Sequence, residues 1–214
     1  MLKASLVDVT LYGLDESVYT RIVRLVLHAK GLAFELVETD PFEGGTVPEG
    51  YDLRHPFKRI PAIEIDGVRL YETDAIVHYI DAILEPLSLT PTDVEIAARM
   101  RQLMRIIDNY GYRPLVWGIY VPLWWRDGEQ PSRESIEDGR RVLRVLESFV
   151  AASPGAAFAD PTLATFYLAS VLAAADSVAI GSNLIDEQPR LREWWNGVRT
   201  LPIMASTRSQ HTKF

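Results

Sequence analysis

Apolar residues along this 214-residue chain change their period once, and the position of that change limits the fold more than any other feature. Before about residue 82, alternating segments are interleaved with segments of helical spacing; after Thr92 nearly every periodic segment is helical. Between them lies Glu85-Pro86-Leu87-Ser88-Leu89-Thr90-Pro91-Thr92, whose two prolines and three hydroxyl residues suit a linker ending in a helix cap. The pattern predicts a mixed α/β domain over residues 1–84, a linker over 85–91 and an all-α domain over 92–214.

Residues 6–11 alternate and are rich in Val, Leu and Thr, so they read as a strand ending at Tyr12-Gly13. Val18, Ile22, Leu25, Val26 and Ala29 then share one helical face, with Ser17 placed to cap the start and Gly31 just past the last turn. Residues 34–37 make a second strand, and the resulting βαβ unit requires parallel strands with a right-handed crossover. Residues 40–54 hold three glycines and two prolines and read as loop, with room for a short helix. Two apolar runs, Ala62–Ile65 and Val68–Tyr71, flank Asp66-Gly67, a hairpin signal because both turn positions need positive φ. Ala75, Ile76, Tyr79, Ile80 and Ile83 continue at helical spacing, so a helix begins near Glu72-Thr73. The order βαβ, loop, ββα is the thioredoxin-like arrangement.

In the second half, Ile96, Ala97, Met100, Leu103, Met104 and Ile107 predict a long amphipathic helix running toward Pro114, and residues 114–131 read as loop. Tyr110, Tyr112, Trp117, Trp124 and Trp125 are dense enough to serve a core, an interface or the wall of an apolar pocket. Residues 162–175 are almost wholly apolar and predict a buried central helix. Pro189, Trp194, Val198 and Pro202 mark the last helix, with Trp194 as a structural residue.

Composition excludes several function classes. A net charge of −7 with no long basic run argues against nucleic acid or an anionic membrane as partner, because phosphate neutralisation needs clustered Lys and Arg. No apolar run approaches the roughly 20 residues a bilayer requires, and MLKASLVDVTLY carries no targeting pattern, so a cytoplasmic protein is expected. Cysteine is absent, which removes disulfides, thiolate metal ligands and a cysteine nucleophile. Histidines 28, 55, 78 and 211 share no ligand spacing, so no metal is expected.

Two segments now carry a resemblance. Ser17-Val18-Tyr19-Thr20-Arg21 resembles the Ser-Pro-Tyr-x-Arg entry to the first helix of cytosolic glutathione S-transferases of the bacterial, serine type. His55-Pro56-Phe57-Lys58-Arg59-Ile60-Pro61 resembles their Asn-Pro-x-Gly-x-Val-Pro, and Leu70-Tyr71-Glu72-Thr73 their Leu-x-Glu-Ser, followed by the same Ala-Ile-x-x-Tyr-Ile over residues 75–80. The likeness extends over nearly the whole chain. It implies a cis Pro61 that presents the backbone of Ile60 as an edge for the extended tripeptide glutathione. It implies that Glu72 and Thr73, at a helix start, hold the ligand's ammonium and α-carboxylate, and that Arg59 reaches its glycine carboxylate. Ser17 is implied as the catalytic hydroxyl that donates to the glutathione sulfur, with Tyr12 and Tyr19 as rival hydroxyls. Tyr12, Tyr19, Tyr110 and Trp117 are the candidates for the electrophile pocket. Each site residue also has a plainer reading: Ser17 as a cap, Pro61 as a turn proline, Arg59 and Lys58 as solvated charges.

The function implied is a transferase that activates the glutathione thiol for attack on a small, largely apolar electrophile, in a detoxifying cytoplasmic homodimer, with glutathione as co-substrate. A glutathione-dependent isomerase or peroxide reductase would use the same site, and a non-catalytic binding or assembly protein would keep the scaffold. The chain departs from the family at Val18 for proline, Lys58 for glycine and Thr165 for the aspartate of a helix cap, and residues 42–51 lack the usual basic residue. The Thr165 replacement predicts a weaker cap on the central helix.

Overall fold

The computed structural model of the chain describes residues 7–42, 44–84, 88–126, 128–152 and 161–209. They fall into two units: one holds the described residues up to Ser88 together with those from Ala205 onward, the other runs from Leu89 to Met204.

In the first unit β1 (Val9–Gly13), α1 (Val18–Ala29) and β2 (Glu35–Glu38) form the expected βαβ unit, with β1 and β2 parallel. β3 (Ala62–Ile65) and β4 (Val68–Tyr71) form the hairpin, and α2 (Thr73–Ile83) follows. The sheet order is β2-β1-β3-β4 with β3 antiparallel to β1, so the unit is a thioredoxin-like α/β domain. Asp66 and Gly67 take φ of 47° and 82°, as the two-residue turn demands. The strand β1 runs two residues past the alternating run, because Tyr12 and Gly13 pair with Val37 and Glu38; residue 6 lies outside the described residues. Ser17 caps α1, and Gly31 takes φ 68° past its end. Within residues 40–54, Tyr51–Leu53 form a single 3₁₀ turn.

The second unit is all-helical among its described residues: α3 (Val94–Ile106), α4 (Val121–Trp125), α5 (Arg133–Ala152), α6 (Leu163–Asp176), α7 (Ala179–Asp186), α8 (Pro189–Val198) and the start of α9 (Pro202–Ala205). The cap of α3 is Asp93, one residue after the expected Thr92; its carboxylate accepts from the Ile96 N–H at 2.9 Å. The stretch read as loop after Pro114 is helical instead. Backbone of π winding spans Ile107–Gly111 and Arg113–Tyr120 and leads into α4. Pro114 cannot donate to the preceding turn, and a wider turn absorbs the missing bond without ending the helix.

Every residue of α6 from Leu163 to Ala175 is buried, as its composition predicts. Its cap is complete rather than weakened: the Thr162 N–H donates to Thr165 Oγ1 at 3.0 Å and the Thr165 N–H to Thr162 Oγ1 at 3.4 Å. A hydroxyl therefore closes the reciprocal box where a carboxylate is usual. At the other end Asp176 gathers three helices. Its Oδ1 accepts from Ser182 Oγ at 2.9 Å and Arg192 Nη1 at 2.8 Å; its Oδ2 accepts from Trp195 Nε1 and Arg199 Nη1, each at 2.9 Å. The tryptophan in this structural network is thus Trp195, which is buried, whereas the half-buried Trp194 is its neighbour. Burial pushes the Asp176 carboxyl upward, but the hydrogen bonds from Trp195, Arg192 and Ser182 and the Arg192 charge outweigh it, so the net shift is down.

Candidate functional site

Strand register assembles the site. Ala62 pairs with both Tyr12 and Tyr71, so the residues just beyond these pairs, Gly13 at the end of β1, Pro61 before β3 and Glu72 after β4, sit at one end of the sheet. The segments holding Ser17, Ile60-Pro61 and Glu72-Thr73 leave the sheet at that same end. The expected residues of the first unit are thereby brought to a common edge although they lie up to 56 positions apart, from 17 to 73.

Ser17 is half-buried with extended backbone, φ −72° and ψ 125°, and its Oγ accepts from the Thr20 N–H at 3.3 Å. Its N–H donates to Leu14 O at 3.1 Å, which fixes the turn between β1 and α1. The hydroxyl accepts from backbone, so its own proton is available to a further acceptor. The first N–H groups of α1 add positive potential at the same place. Gly13 makes this close return possible: a Cβ there would lie 2.8 Å from Thr20 Cγ2 and nearer still to Thr20 Oγ1.

The Ile60-Pro61 peptide bond is cis, as the resemblance implies. Ile60 is half-buried, Pro61 is buried and Arg59 is exposed. The Tyr51 hydroxyl donates to Arg59 O at 2.6 Å and so pins the backbone one residue before Ile60. Burial pushes the Tyr51 phenol well above its ordinary range, which keeps it a donor at all working pH values.

Glu72 is exposed and takes φ 69° and ψ 113°, an uncommon conformation for a residue other than glycine, and the N–H groups of the first turn of α2 follow it. Thr73 is the first residue of α2 and is buried. Lys58, where the family has glycine, takes φ 49°, so the position keeps the left-handed backbone and changes only the side chain. His55 is buried beside Tyr71, ring centroids 4.8 Å apart. Burial lowers its imidazole pKa, while the Glu72 carboxylate pulls it up and Arg59 pushes it down; His55 therefore shares a neighbourhood with both.

The remaining candidates are dispersed. Tyr12 belongs to a small core with Tyr51 and Ala62, against which Val37 and Ile60 pack, and the Arg54 guanidinium lies 4.7 Å from its ring centre. Tyr19 is half-buried on α1. Tyr110 and Trp117 lie in the second unit, 66% and 40% exposed. Tyr51 and Arg54 did not emerge from the sequence, where they have no periodic or motif signal, and Gly13 emerged only as the end of the first strand. Among the described residues no group of three His, Cys, Asp or Glu could hold a metal ion, and no helix is long and apolar enough to cross a membrane.

The first unit thus combines a thioredoxin-like sheet with a capping serine after β1, a cis proline before β3 and an acid-hydroxyl pair opening α2, and the second unit is helical among its described residues. Comparison with known proteins narrows this. Residues 11–86 match the family model for the glutathione S-transferase N-terminal domain. Glutathione S-transferase F13 of Arabidopsis thaliana is 26% identical over 210 residues, covering 90% of this chain and 91% of that protein. A glutathione S-transferase of Pseudomonas putida is 34% identical over 100 residues, 47% of this chain and 44% of that one. The solved structure of glutathione S-transferase III in apo form superposes with a TM-score of 0.80 at 25% identity, covering 94% of this chain and 95% of that chain. The N-terminal part of the chain thus matches the glutathione S-transferase N-terminal domain, and the relatives that align along most of its length are glutathione S-transferases.

Proposed function

We propose that this protein is a serine-type glutathione transferase in which Ser17 stabilises the glutathione thiolate for attack on a small, largely apolar electrophile. The observation that carries this reading is the Ser17 hydroxyl: bonded to the Thr20 N–H as acceptor, with its own proton free, at the positive end of α1. A free thiol has a pKa of about 8.5, and bringing it near 7 requires roughly 2 kcal/mol at about 1.4 kcal/mol per unit. One hydrogen bond to a charged sulfur contributes about 1.5 to 3 kcal/mol and a helix terminus about 0.3 to 1. No general base is needed, because the proton leaves to water.

In the same reading the backbone of Ile60 pairs with the extended peptide, Thr73 and the first N–H groups of α2 take its α-carboxylate, and Glu72 takes its ammonium. The uncommon φ of Glu72 supports a retained role for that side chain, since glycine would sit there at lower cost. Arg59 is assigned to the glycine carboxylate, and a cytoplasmic homodimer acting in detoxification completes the proposal.

The test is calorimetric titration with reduced glutathione in two buffers of different ionisation enthalpy, on the wild type and on Ser17→Gly. Glycine keeps most of the cap while deleting the hydroxyl. Binding with proton release in the wild type, and at least tenfold lower turnover in the variant, is expected. Absence of binding heat at millimolar glutathione, or unchanged turnover in Ser17→Gly, would refute the assignment. Analysis of products then separates the chemistries: an adduct means transfer, regenerated glutathione means isomerisation, and glutathione disulfide means peroxide reduction.

A further inference from the structure

Helix α1 buries two guanidinium groups just behind the proposed thiol site. Arg21 is 3% exposed and Arg24 9%. Long helical side chains lean toward the N-terminus, and Arg24 reaches the loop before the cap, where its Nη1 donates to Asp15 O at 3.3 Å and forms an ion pair with Asp15 Oδ1. Arg21 instead donates from Nε to Thr207 Oγ1 at 3.1 Å. Thr207 is itself wholly buried, and the residues from Ala205 onward group with the first unit. The end of the described chain therefore seats a charge one helical turn behind Ser17.

That seat is electrostatically unfavourable for Arg21. Burial, then the like charges of Arg24 on α1 and Arg208 on the C-terminal segment, lower its pKa to about 10, and Asp15, already paired with Arg24, acts the other way. The charge of Arg24 also adds to burial in lowering the pKa of His28 further along α1. Burying a cation among like charges costs stability. The arrangement raises positive potential at the helix end where the backbone dipole is already positive.

We infer that Arg21, held by Thr207, is a positioning residue for thiol activation: with Arg24 it maintains positive potential behind Ser17 and so stabilises the bound thiolate. This rests on Ser17 being the thiol site. Neither arginine needs to touch the sulfur; they act through the field across α1, in surroundings of low dielectric where a fixed charge is poorly screened.

The experiment compares full-length Thr207→Val, Thr207→Ser and Ser17→Gly with the wild type. The readouts are the thiolate absorbance of the glutathione complex against pH and the pH profile of kcat/KM. Thr207→Val deletes the Thr207 acceptor and loosens Arg21 in its seat; the thiol titration is expected to move up by about half a unit, a roughly threefold loss of thiolate below the midpoint. The loss of kcat/KM should vanish at high pH, where the thiol ionises unaided, with KM for glutathione unchanged. Thr207→Ser keeps the acceptor and should restore the wild-type profile. Arg21→Gln, which removes the charge itself, should shift the titration at least as far; if it does not fold, the Thr207 pair still decides. An unmoved titration in Thr207→Val, or a shift that serine does not rescue, overturns the inference. If Ser17→Gly moves the titration and Thr207→Val does not, Arg21 alone loses its role; if the wild-type complex holds no thiolate near neutral pH, both readings fall.

Discussion

Replacing Asp176 with asparagine keeps the size of the side chain and removes its charge, which makes it a clean test of how α6, α7 and α8 are held together. In the wild type each carboxylate oxygen accepts two bonds: Ser182 and Arg192 on one, Trp195 and Arg199 on the other. An asparagine offers one accepting oxygen, and its NH₂ must face donors whichever way the amide is turned. The Arg199 contact adds little, because that side chain is half exposed and such pairs contribute about 0 to 1 kcal/mol. Trp195 and Arg192 are more enclosed, and leaving buried donors without an acceptor costs about 1 to 3 kcal/mol each. A loss of about 3 kcal/mol is expected, which for a chain of this size lowers Tm by about 6 to 12 °C. The pH dependence follows from the depressed carboxyl. Its contribution is present above the unfolded value of about 3.9 and fades as pH falls through the lower folded value. Melting followed by circular dichroism should therefore show a full gap between wild type and Asp176→Asn at neutral pH and a shrinking gap below about pH 4. Curves that coincide at neutral pH would refute the reasoning, and a gap that persists undiminished in acid would show that the ionised carboxylate is not its source.

Gly13→Ala would drive a methyl group into Thr20, whose side chain is wholly buried. We expect about 1 to 3 kcal/mol of destabilisation and reduced turnover through displacement of the Ser17 cap, with much of both recovered in Gly13→Ala/Thr20→Ala; urea titration and initial rates check this, and no rescue by the second change would count against the contact. Thr73→Val should weaken glutathione binding about tenfold, equivalent to the loss of one hydrogen bond, and leave the thiol pKa of the complex in place; undiminished affinity would sink the α-carboxylate assignment.

The parts legible in the sequence are those governed by near neighbours. Asp66-Gly67 specifies its hairpin because both residues must take positive φ, and Ser17 announces α1 because a cap acts over three residues. What escaped depends on partners distant in sequence or on substitutions that preserve geometry. Nothing local tells that Tyr51 will hold Arg59 O, that Gly13 must admit Thr20, or that residues after Ala205 complete the first unit. Thr165 reads as the loss of a cap because a hydroxyl is not a carboxylate, yet it reaches the Thr162 N–H all the same. Pro114 reads as a helix stop, and the wider winding around it is a tertiary solution that propensity does not encode.

The hydrogen bond between Arg21 and Thr207 spans 186 positions, and this sets a timetable for the protein's birth. A ribosome adding about 5 to 20 residues per second needs roughly 10 to 40 s to cover that interval. Through that time the nascent thioredoxin-like domain can pair its strands and wind α1, but the guanidinium of Arg21 still lacks its Thr207 acceptor. Residues from Ala205 onward thus finish the first domain. A chain stalled before Thr207 would present a nearly folded sheet whose proposed thiol-binding end still lacks its final brace.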